Sequence, residues 1–300
     1  DIAATFAERW NQPRCDLTNL PRRQPPPQPI ESPKPALAGS GEGTAAVQVL
    51  RTYSCSYARS SGCLSSFAPW GEVSHMHGLI KAIQTARHFI YIEEQYFLWE
   101  EETYQTLRAA LRDHVLHVIL LVQYPQEHAG FSTYLWRFWH TLVQEFPGRV
   151  HGFYRTGGVY IHSKTKVFDD VWVMSGSANL NYRSHTSDAE ATAAVVDEGP
   201  RVKTPEGYTV SQWAREIRCR LFEDNTGVAA VEWDALTMDE AVERWHAVAE
   251  SPNSRIGAFH FSYTAPSDAN IPEYQAWTDN NELRVFEDAD DRCTSSWPVK

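Results

Sequence analysis

Helical and strand patterns alternate along residues 79–154, and this alternation restricts the fold more than any other feature of the chain. Apolar residues recur at helical spacing three times, and a short apolar strand follows each helical pattern. The helix and strand pairs cover residues 79–86 and 89–92, 104–111 and 115–122, and 135–146 and 150–154. Such alternation predicts an α/β fold in which a mixed β-sheet is sandwiched between helices.

The residues before this block have a different composition. Residues 1–11 are predicted to form a short helix, because apolar residues recur at a spacing of four. Residues 12–44 are rich in proline, glycine and serine, which is typical of an extended linker. We therefore expect residues 1–44 to form a short helix and a linker, and residues 45–300 to form one α/β lobe.

The predicted lobe begins with a strand over residues 46–53 and becomes irregular from about residue 200. Two helical patterns remain in this C-terminal extension, near 212–222 and over 238–249. The second pattern follows Thr237-x-x-Glu240, which is the spacing of a capping box.

Composition restricts the function classes. The 38 acidic and 27 basic residues give a formal net charge of −11, which argues against non-specific binding of nucleic acid. The longest apolar run, residues 118–122, is far shorter than the roughly 18 residues of a membrane-spanning helix. The cysteines form no CxxC pair, which argues against a zinc knuckle. Cys55 and Cys63 could pair in an oxidising compartment or could be buried thiols.

Candidate catalytic residues are concentrated between residues 160 and 190. Residues 160–168 and 171–174 have strand patterns on either side of the turn pair Asp169-Asp170, which predicts a two-residue hairpin loop. In that register residue 164 lies opposite 175, and residue 162 lies opposite 177. One face of the hairpin would then carry His162, Lys164, Ser175, Ser177 and Asn179, while Gly176 would let a ligand approach the backbone.

An imidazole, an ammonium and several neutral donors on one face suit a tetrahedral oxyanion, most simply a phosphate. A catalytic histidine needs a carboxylate to fix its tautomer, and Glu190 is the natural candidate. Asp169 lies an odd number of residues from His162 and is expected to be a turn and network residue. Each group alone would more often belong to a solvated strand face or a turn, so the inference depends on the combination.

The string His-x-Lys-x4-Asp-x6-Gly-Ser-x-Asn, from His162 to Asn179, resembles the signature of the phospholipase D superfamily without departure. The segment 89–97, FIYIEEQYF, resembles a strand end of true phospholipases D, with Glu94 in place of the usual Asn. Residues 6–11 and 47–51 resemble segments that follow the family's first catalytic motif, so the resemblance implies that residues 1–44 are the tail of a preceding lobe. The resemblance covers most of residues 1–250 and implies a phospholipase D-like lobe.

Members of this family carry the signature twice, or once in a homodimer. This chain has one copy, because none of its other eleven histidines is followed by Lys at the second position after it. The resemblance therefore implies the C-terminal half of a two-motif enzyme, with the first motif on a separate or missing segment. A homodimer is the alternative. The chain begins without Met or a signal peptide and is expected to be processed or excised, so its localisation stays open, with a secreted or envelope protein compatible.

By resemblance, the activity is hydrolysis of the distal phosphodiester of a phosphatidylcholine-like phospholipid through a phosphohistidine intermediate, with head-group transfer to alcohols as a further reaction. The partners are then a phospholipid at a membrane surface and a first-motif half or homodimer mate, and no metal or cofactor is needed. A nuclease, a phospholipid synthase and a non-catalytic binding half are the alternatives.

The resemblance also assigns roles to residues of the motif. His162 would be the general acid and base, Glu190 would orient it, and Asp169 would complete the catalytic set. Lys164, Ser177 and Asn179 would bind the phosphoryl oxygens. Residues that could line the substrate site, or could instead lie in the core or on a solvated strand end, are Glu94, Gln95, Tyr96 and Phe97.

Overall fold

The computed structural model describes residues 43–53, 71–97, 100–123, 138–186 and 188–259, together with Ala4, Thr5, Ala7, Glu8 and Ala68. Ala4, Thr5, Ala7 and Glu8 are helical, as predicted for this segment. Most of the predicted linker, the Cys55 and Cys63 pair and the last 41 residues (260–300) lie outside the described residues.

Eleven strands occur in the described part of the chain. They are β1 (Ala45–Tyr53), β2 (Glu72–Val73), β3 (Phe89–Glu94), β4 (His117–Val122), β5 (Val150–Arg155), β6 (Lys164–Phe168), β7 (Trp172–Gly176), β8 (Glu190–Asp197), β9 (Arg201–Lys203), β10 (Thr209–Ser211) and β11 (Ile256–Ala258). Nine of them form one sheet in the order β11-β5-β4-β3-β6-β7-β8-β1-β2, and β9 pairs with β10 separately. In the large sheet β3, β4 and β5 are parallel and the other pairs are antiparallel, which confirms the predicted mixed sheet.

Helices cover both faces of this sheet. They are α1 (Ser74–Thr85), α2 (Glu101–Asp113), α3 (138–145), α4 (Tyr182–Thr186), α5 (Gln212–Thr226), α6 (Ala230–Asp234) and α7 (Met238–Ala249). Apolar residues of α1, α2 and α3 pack on one face against Ile90 and Ile92. On the other face α5, α6 and α7 contribute Phe222, Trp233 and Trp245, which pack with residues of β3 and β5. Because alternate residues of a strand point to opposite faces, β4 is buried on both faces along its whole length.

Residues 201–259 are more regular than the sequence pattern indicates. The helix predicted near 212–222 extends to Thr226, where Gly227 closes it with a φ of 81°. The helix over 238–249 has its predicted capping box, with both Thr237 and Glu240 contributing. β11 then extends the large sheet at its edge beside β5. In the described residues no helix has the length and apolar character needed to span a membrane.

The hairpin between β6 and β7 differs from its predicted register by one residue. Phe168 lies opposite Trp172, and Thr165 lies opposite Ser175. Asp169 and Asp170 both have a φ of 53°, and the N–H of Val171 closes the turn by donating to the carbonyl of Phe168 at 2.9 Å. Val171 is therefore an extra loop residue, and the prediction of a two-residue loop is wrong.

This shift changes which side chains share a face, because a one-residue slip turns a strand over relative to its partner. Ser175 hydrogen-bonds to Thr165 at 2.9 Å on the face opposite to Lys164, so the predicted shared face of Lys164 and Ser175 is wrong. The glycine at 176 serves strand packing, because a Cβ there would lie 2.3 Å from the carbonyl oxygen of Ala191. The strand β6 begins at Lys164, and the residues at 160–163 form a loop before it.

Candidate active site

Four strand ends meet at one end of the sheet. β6 is antiparallel to both β3 and β7, and β7 is antiparallel to β8. The C-terminal ends of β3 and β7 therefore lie beside the N-terminal ends of β6 and β8. This arrangement brings together Gln95 after β3, His162 and Lys164 at the start of β6, Ser177 after β7, and Glu190 at the start of β8.

Lys164 is held inside this end of the sheet. Its side chain is largely buried, and Nζ donates to Oε1 of Gln95 at 2.6 Å and to the carbonyl of His162 at 3.0 Å. Burial lowers the pKa of the Lys164 ammonium, while the carboxylates of Glu94 and Glu190 oppose this shift. The strand thus presents a fixed positive charge directly behind the histidine.

His162 is exposed, in contrast to Lys164. Its backbone is fixed on both sides, because Ile161 N–H donates to Oε1 of Gln123 at 2.7 Å and the carbonyl of Ser163 accepts from Gln95 N–H at 3.0 Å. The imidazole lies near the ring of Tyr160, with the two ring centroids 6.0 Å apart. The result is an imidazole on a fixed loop that is open to a ligand.

Glu190 is engaged by two hydroxyls. Its carboxylate accepts hydrogen bonds from Ser177 and, at 2.8 Å, from Ser184. Burial raises the pKa of Glu190, and the two serine hydrogen bonds oppose the rise. Among the described residues, no carboxylate hydrogen-bonds to the imidazole of His162.

Asn179 follows Ser177 in the motif and is half-buried. Its Oδ1 is buried and has no hydrogen-bond partner. A buried acceptor without a donor is unusual in a folded protein and can take up a ligand or a water molecule.

Asp169 lies at the opposite end of the hairpin from His162, as their positions along β6 require. Its carboxylate accepts from the N–H groups of Arg87, His88 and Phe89 at 2.5–2.9 Å. These contacts tie the hairpin turn to the start of β3, which is the turn and network role expected from the sequence.

The neighbouring Asp170 was not singled out from the sequence, although it forms a buried bidentate pair with Arg218 at 2.7 and 2.8 Å. Burial lowers the pKa of the Arg218 guanidinium, but the charge and hydrogen bonds of Asp170 more than offset this, and the net shift is upward. The pair fastens the hairpin turn to α5.

The four candidate lining residues separate into two groups. Gln95 contacts Lys164, whereas Phe97 is 1% exposed and stacks on Phe138 in the core. Tyr96 packs against the same core. Glu94 is fully buried and pairs with Lys166 at 2.7 Å, on the sheet face that α1 and α2 cover. Neither Phe97 nor Glu94 therefore forms part of the exposed surface around His162.

A layer of buried polar groups continues beneath the site and was not predicted. His75 and His185 face each other with ring centroids 5.5 Å apart, and no ring nitrogen of either has a hydrogen-bond partner. Burial lowers the pKa of His75, as do the nearby His185 and Lys166. Oε2 of Glu100 lies 3.6 Å from Nδ1 of His185, which is too long for a hydrogen bond.

Only one residue of this layer, Lys166, could have been placed from the sequence. Lys166 is two residues from Lys164, so strand alternation places both on one face. His75 and His185 lie in helices, and nothing in their spacing connects them. Within the described ranges, no group of three or more His, Cys, Asp or Glu side chains is arranged to hold a metal ion.

Comparison with known proteins places these observations in a family. Residues 79–213 match the family model described as cardiolipin synthase, PLD-like domain. Phospholipase D A of Dictyostelium discoideum is 24% identical over 278 residues, which cover 76% of this chain and 20% of that protein. Cardiolipin synthase 2 of Staphylococcus epidermidis is 29% identical over 133 residues, which cover 43% of this chain and 25% of that protein.

Among solved structures, phosphatidylserine synthase of Haemophilus influenzae Rd KW20 aligns with a TM-score of 0.47 at 13% identity, covering 81% of this chain and 47% of that chain. The chain spans about a fifth to a quarter of the length of the two curated relatives above. The motif from His162 to Asn179 is complete at the end of the mixed sheet, and the family model and the curated relatives agree with it. Residues 79–213 therefore form a PLD-like domain of the phospholipase D superfamily.

Proposed function

We propose that this chain takes part in phosphodiester cleavage of the phospholipase D type, hydrolysing the distal phosphodiester of a phosphatidylcholine-like phospholipid to phosphatidate and the free head group. The observation that carries the proposal is the pairing of an exposed imidazole, His162, with a buried ammonium, Lys164, whose Nζ lies 3.0 Å from the carbonyl of His162. The two groups stand in a motif of a superfamily whose relatives here include phospholipases D.

The proposed reaction has two displacements at phosphorus. A histidine of a second His-x-Lys motif attacks phosphorus, and the bond from phosphorus to the head-group oxygen breaks. His162 donates a proton to that leaving oxygen. His162 then takes a proton from water, which attacks the phosphohistidine and releases phosphatidate.

The remaining motif residues are assigned supporting roles. Lys164 stabilises the negative charge that develops on the phosphoryl oxygens, because an ammonium fixed in a partly water-excluded site attracts that charge more strongly than an ammonium in water does. Asn179 and Ser177 complete the phosphate site. Glu190 orients His162, which requires its carboxylate to turn from Ser177 toward the imidazole. Asp169 holds the hairpin and acts on the site only through position.

The proposed site is completed by a second His-x-Lys motif outside this chain's own signature. That motif belongs either to another segment of a longer protein or to a second copy of the chain. The greater length of the curated relatives favours the first arrangement. In either arrangement the substrate is a phospholipid at a membrane surface.

A phospholipid synthase is the second candidate, because residues 79–213 match a cardiolipin synthase model and staphylococcal cardiolipin synthases are among the relatives. The chemistry differs only in the second displacement, where an alcohol attacks the phosphohistidine in place of water. Nuclease activity is disfavoured by the net charge of −11.

The test is head-group release from phosphatidylcholine vesicles. The chain is assayed alone and together with a separate chain that supplies the other His-x-Lys motif, which is the family's first motif. A parallel series contains phosphatidylglycerol as the acceptor alcohol. Choline release that depends on the second chain supports a split hydrolase, and release by the chain alone supports a homodimer. Cardiolipin in place of phosphatidate supports the synthase. Cleavage of DNA without any lipid product contradicts the proposal.

A further inference from the structure

A directed chain of hydrogen bonds connects Lys164 to the surface beside His162. Lys164 Nζ donates to Gln95 Oε1 at 2.6 Å, and Gln95 Nε2 donates to the hydroxyl oxygen of Tyr160 at 2.6 Å. Lys164 and Gln95 are both 7% exposed, whereas Tyr160 is 43% exposed. The chain therefore begins at a buried charge and ends at an exposed hydroxyl.

The chemistry of the three groups permits only one direction. An ammonium can donate but cannot accept, so Gln95 must present its carbonyl oxygen to Lys164. Its NH₂ group then faces Tyr160, and an amide nitrogen cannot accept a hydrogen bond. The phenolic oxygen of Tyr160 must therefore be the acceptor, and its own O–H proton stays free to donate elsewhere. Among the described residues, this hydroxyl has no acceptor.

The position of the hydroxyl suggests where that proton goes. Tyr160 precedes His162 by two residues on the fixed loop, and its ring lies near the imidazole with an interplanar angle of 30°. Successive donors polarise one another, so an O–H that accepts from an amide bound to an ammonium is a strengthened donor. An exposed, strengthened donor beside a catalytic imidazole suits a negatively charged oxygen.

We propose that Tyr160 is a substrate-binding residue whose hydroxyl donates to a phosphoryl oxygen of the bound phosphodiester, and that Gln95 is the positioning residue that keeps this proton directed outward. The inference rests on the proposed function, because it assumes that a phosphodiester occupies the space beside His162. It adds a neutral donor to the motif residues and gives Gln95 a role distinct from lining.

The test is a double-mutant cycle between Tyr160→Phe and Gln95→Glu. Tyr160→Phe keeps the ring and removes the donor, and we expect kcat for head-group release to fall about tenfold with little change in KM. Gln95→Glu keeps an acceptor for Lys164 but turns the Tyr160 proton inward to the carboxylate. In the Gln95→Glu background, Tyr160→Phe should therefore cost less than about twofold.

Tyr208→Phe is the matched control, because Tyr208 is 39% exposed and stacks on His88 at the start of β3, near Asp169 at the other end of the sheet. We expect this variant to retain wild-type kcat. Equal losses from Tyr160→Phe in both backgrounds would overturn the inference, as would a Tyr160→Phe enzyme indistinguishable from Tyr208→Phe.

Binding of inorganic phosphate, measured by calorimetry, separates this inference from the proposed function. Weaker phosphate binding by Tyr160→Phe but not by Tyr208→Phe, in an assembly that cleaves no phosphodiester even when the other His-x-Lys motif is supplied, would support the oxyanion contact and contradict the enzyme. Lipid hydrolysis with kcat and phosphate affinity unaffected by Tyr160→Phe would support the enzyme and overturn the contact. A wild-type chain that does not bind phosphate, and that cleaves no phosphodiester even when the other His-x-Lys motif is supplied, would overturn both.

Discussion

At the scale of single residues, the ion pair between Lys166 and Glu94 is the most enclosed charge pair near the site among the residues that the structure describes. The two side chains are 1% and 0% exposed, and their charged atoms are 2.7 Å apart. Burial raises the pKa of Glu94, and Lys166 opposes that rise. Removing one charge would leave the other buried without a partner, which is far more costly than losing the attraction itself.

We predict that Lys166→Met lowers the free energy of unfolding by about 3–5 kcal/mol, and that adding Glu94→Gln restores part of this loss. The measurement is chemical denaturation at neutral pH. Arg244→Met is the control, because Arg244 and Glu232 form an exposed pair at 3.5 Å, and its loss should cost no more than about 1 kcal/mol. A Lys166→Met chain as stable as Arg244→Met would contradict this account of the buried pair.

Single residues also show what a sequence can reveal about the site. His162, Lys164 and Glu190 could be predicted as site residues, because motif spacing and strand alternation relate residues that are close to one another in the sequence. The contacts of Gln95 with Lys164 and Tyr160 could not be inferred, because they join the end of β3 to a loop that lies 65 residues further along the chain. The layer containing His75 and His185 could not be predicted either, because its residues are also distant from one another in the sequence.

At the scale of elements, three histidines connect β4, β5 and α7 on the face opposite to the buried Lys166 pair. His117 Nδ1 lies 3.3 Å from His151 Nε2, and His151 Nδ1 lies 3.1 Å from His246 Nε2. Asp239 contacts His117 at 2.7 Å from α7. Burial, together with the electrostatic effect of His117 and His246, lowers the pKa of His151 to about 3.

This shift makes stability depend on pH in a defined window. The unfolded chain binds the His151 proton near pH 6.5 and the folded chain only near pH 3, so unfolding takes up a proton between these values. The contribution is fully present above pH 6.5 and is lost as the pH falls toward 3, at up to about 1.4 kcal/mol per pH unit.

We predict that His151→Gln flattens the dependence of the free energy of unfolding on pH between 6.5 and 4.5 by up to about 1.4 kcal/mol per unit. Denaturant titrations at several pH values in this window measure the slope. The matched control is His77→Gln, since His77 is exposed on α1 and should leave the slope unchanged. Identical slopes for the wild type and His151→Gln would show that His151 does not carry the effect.

The hairpin marks the limit of prediction for elements. Most helices and strands could be predicted because apolar residues repeat with the period of each element, and helix α7 was bounded correctly by its capping box. The register between β6 and β7 could not be predicted. It depends on the positive φ of Asp169 and Asp170 and on Val171 as an extra loop residue. The Asp169 carboxylate of this turn also accepts from the N–H groups of Arg87, His88 and Phe89, which are distant in sequence.

At the scale of the whole molecule, one mixed sheet separates two apolar layers and exposes its polar strand ends at one end. The layer formed by α1, α2 and α3 could be predicted, because those helices alternate with strands. The opposite layer was predicted only in part, as two helices within an otherwise irregular extension. Its residues Trp233 and Trp245 belong to one apolar cluster with Tyr91 and Phe153 of distant strands, and no sequence period indicates this packing. The sequence thus predicted the fold class, the first helical layer and helices α5 and α7 of the second, but not helix α6 or the way this second layer packs on the sheet.

For the whole molecule we propose that the exposed imidazole of His162, in front of the buried Lys164, makes this end of the sheet a phosphodiester-cleaving site. The most direct measurement is the rate of head-group release by the complemented assembly carrying His162→Asn, compared with His77→Asn. The account predicts a fall of about 10³-fold for His162→Asn, which loses the general acid and base, and a wild-type rate for His77→Asn. Retention of the wild-type rate by His162→Asn would contradict it.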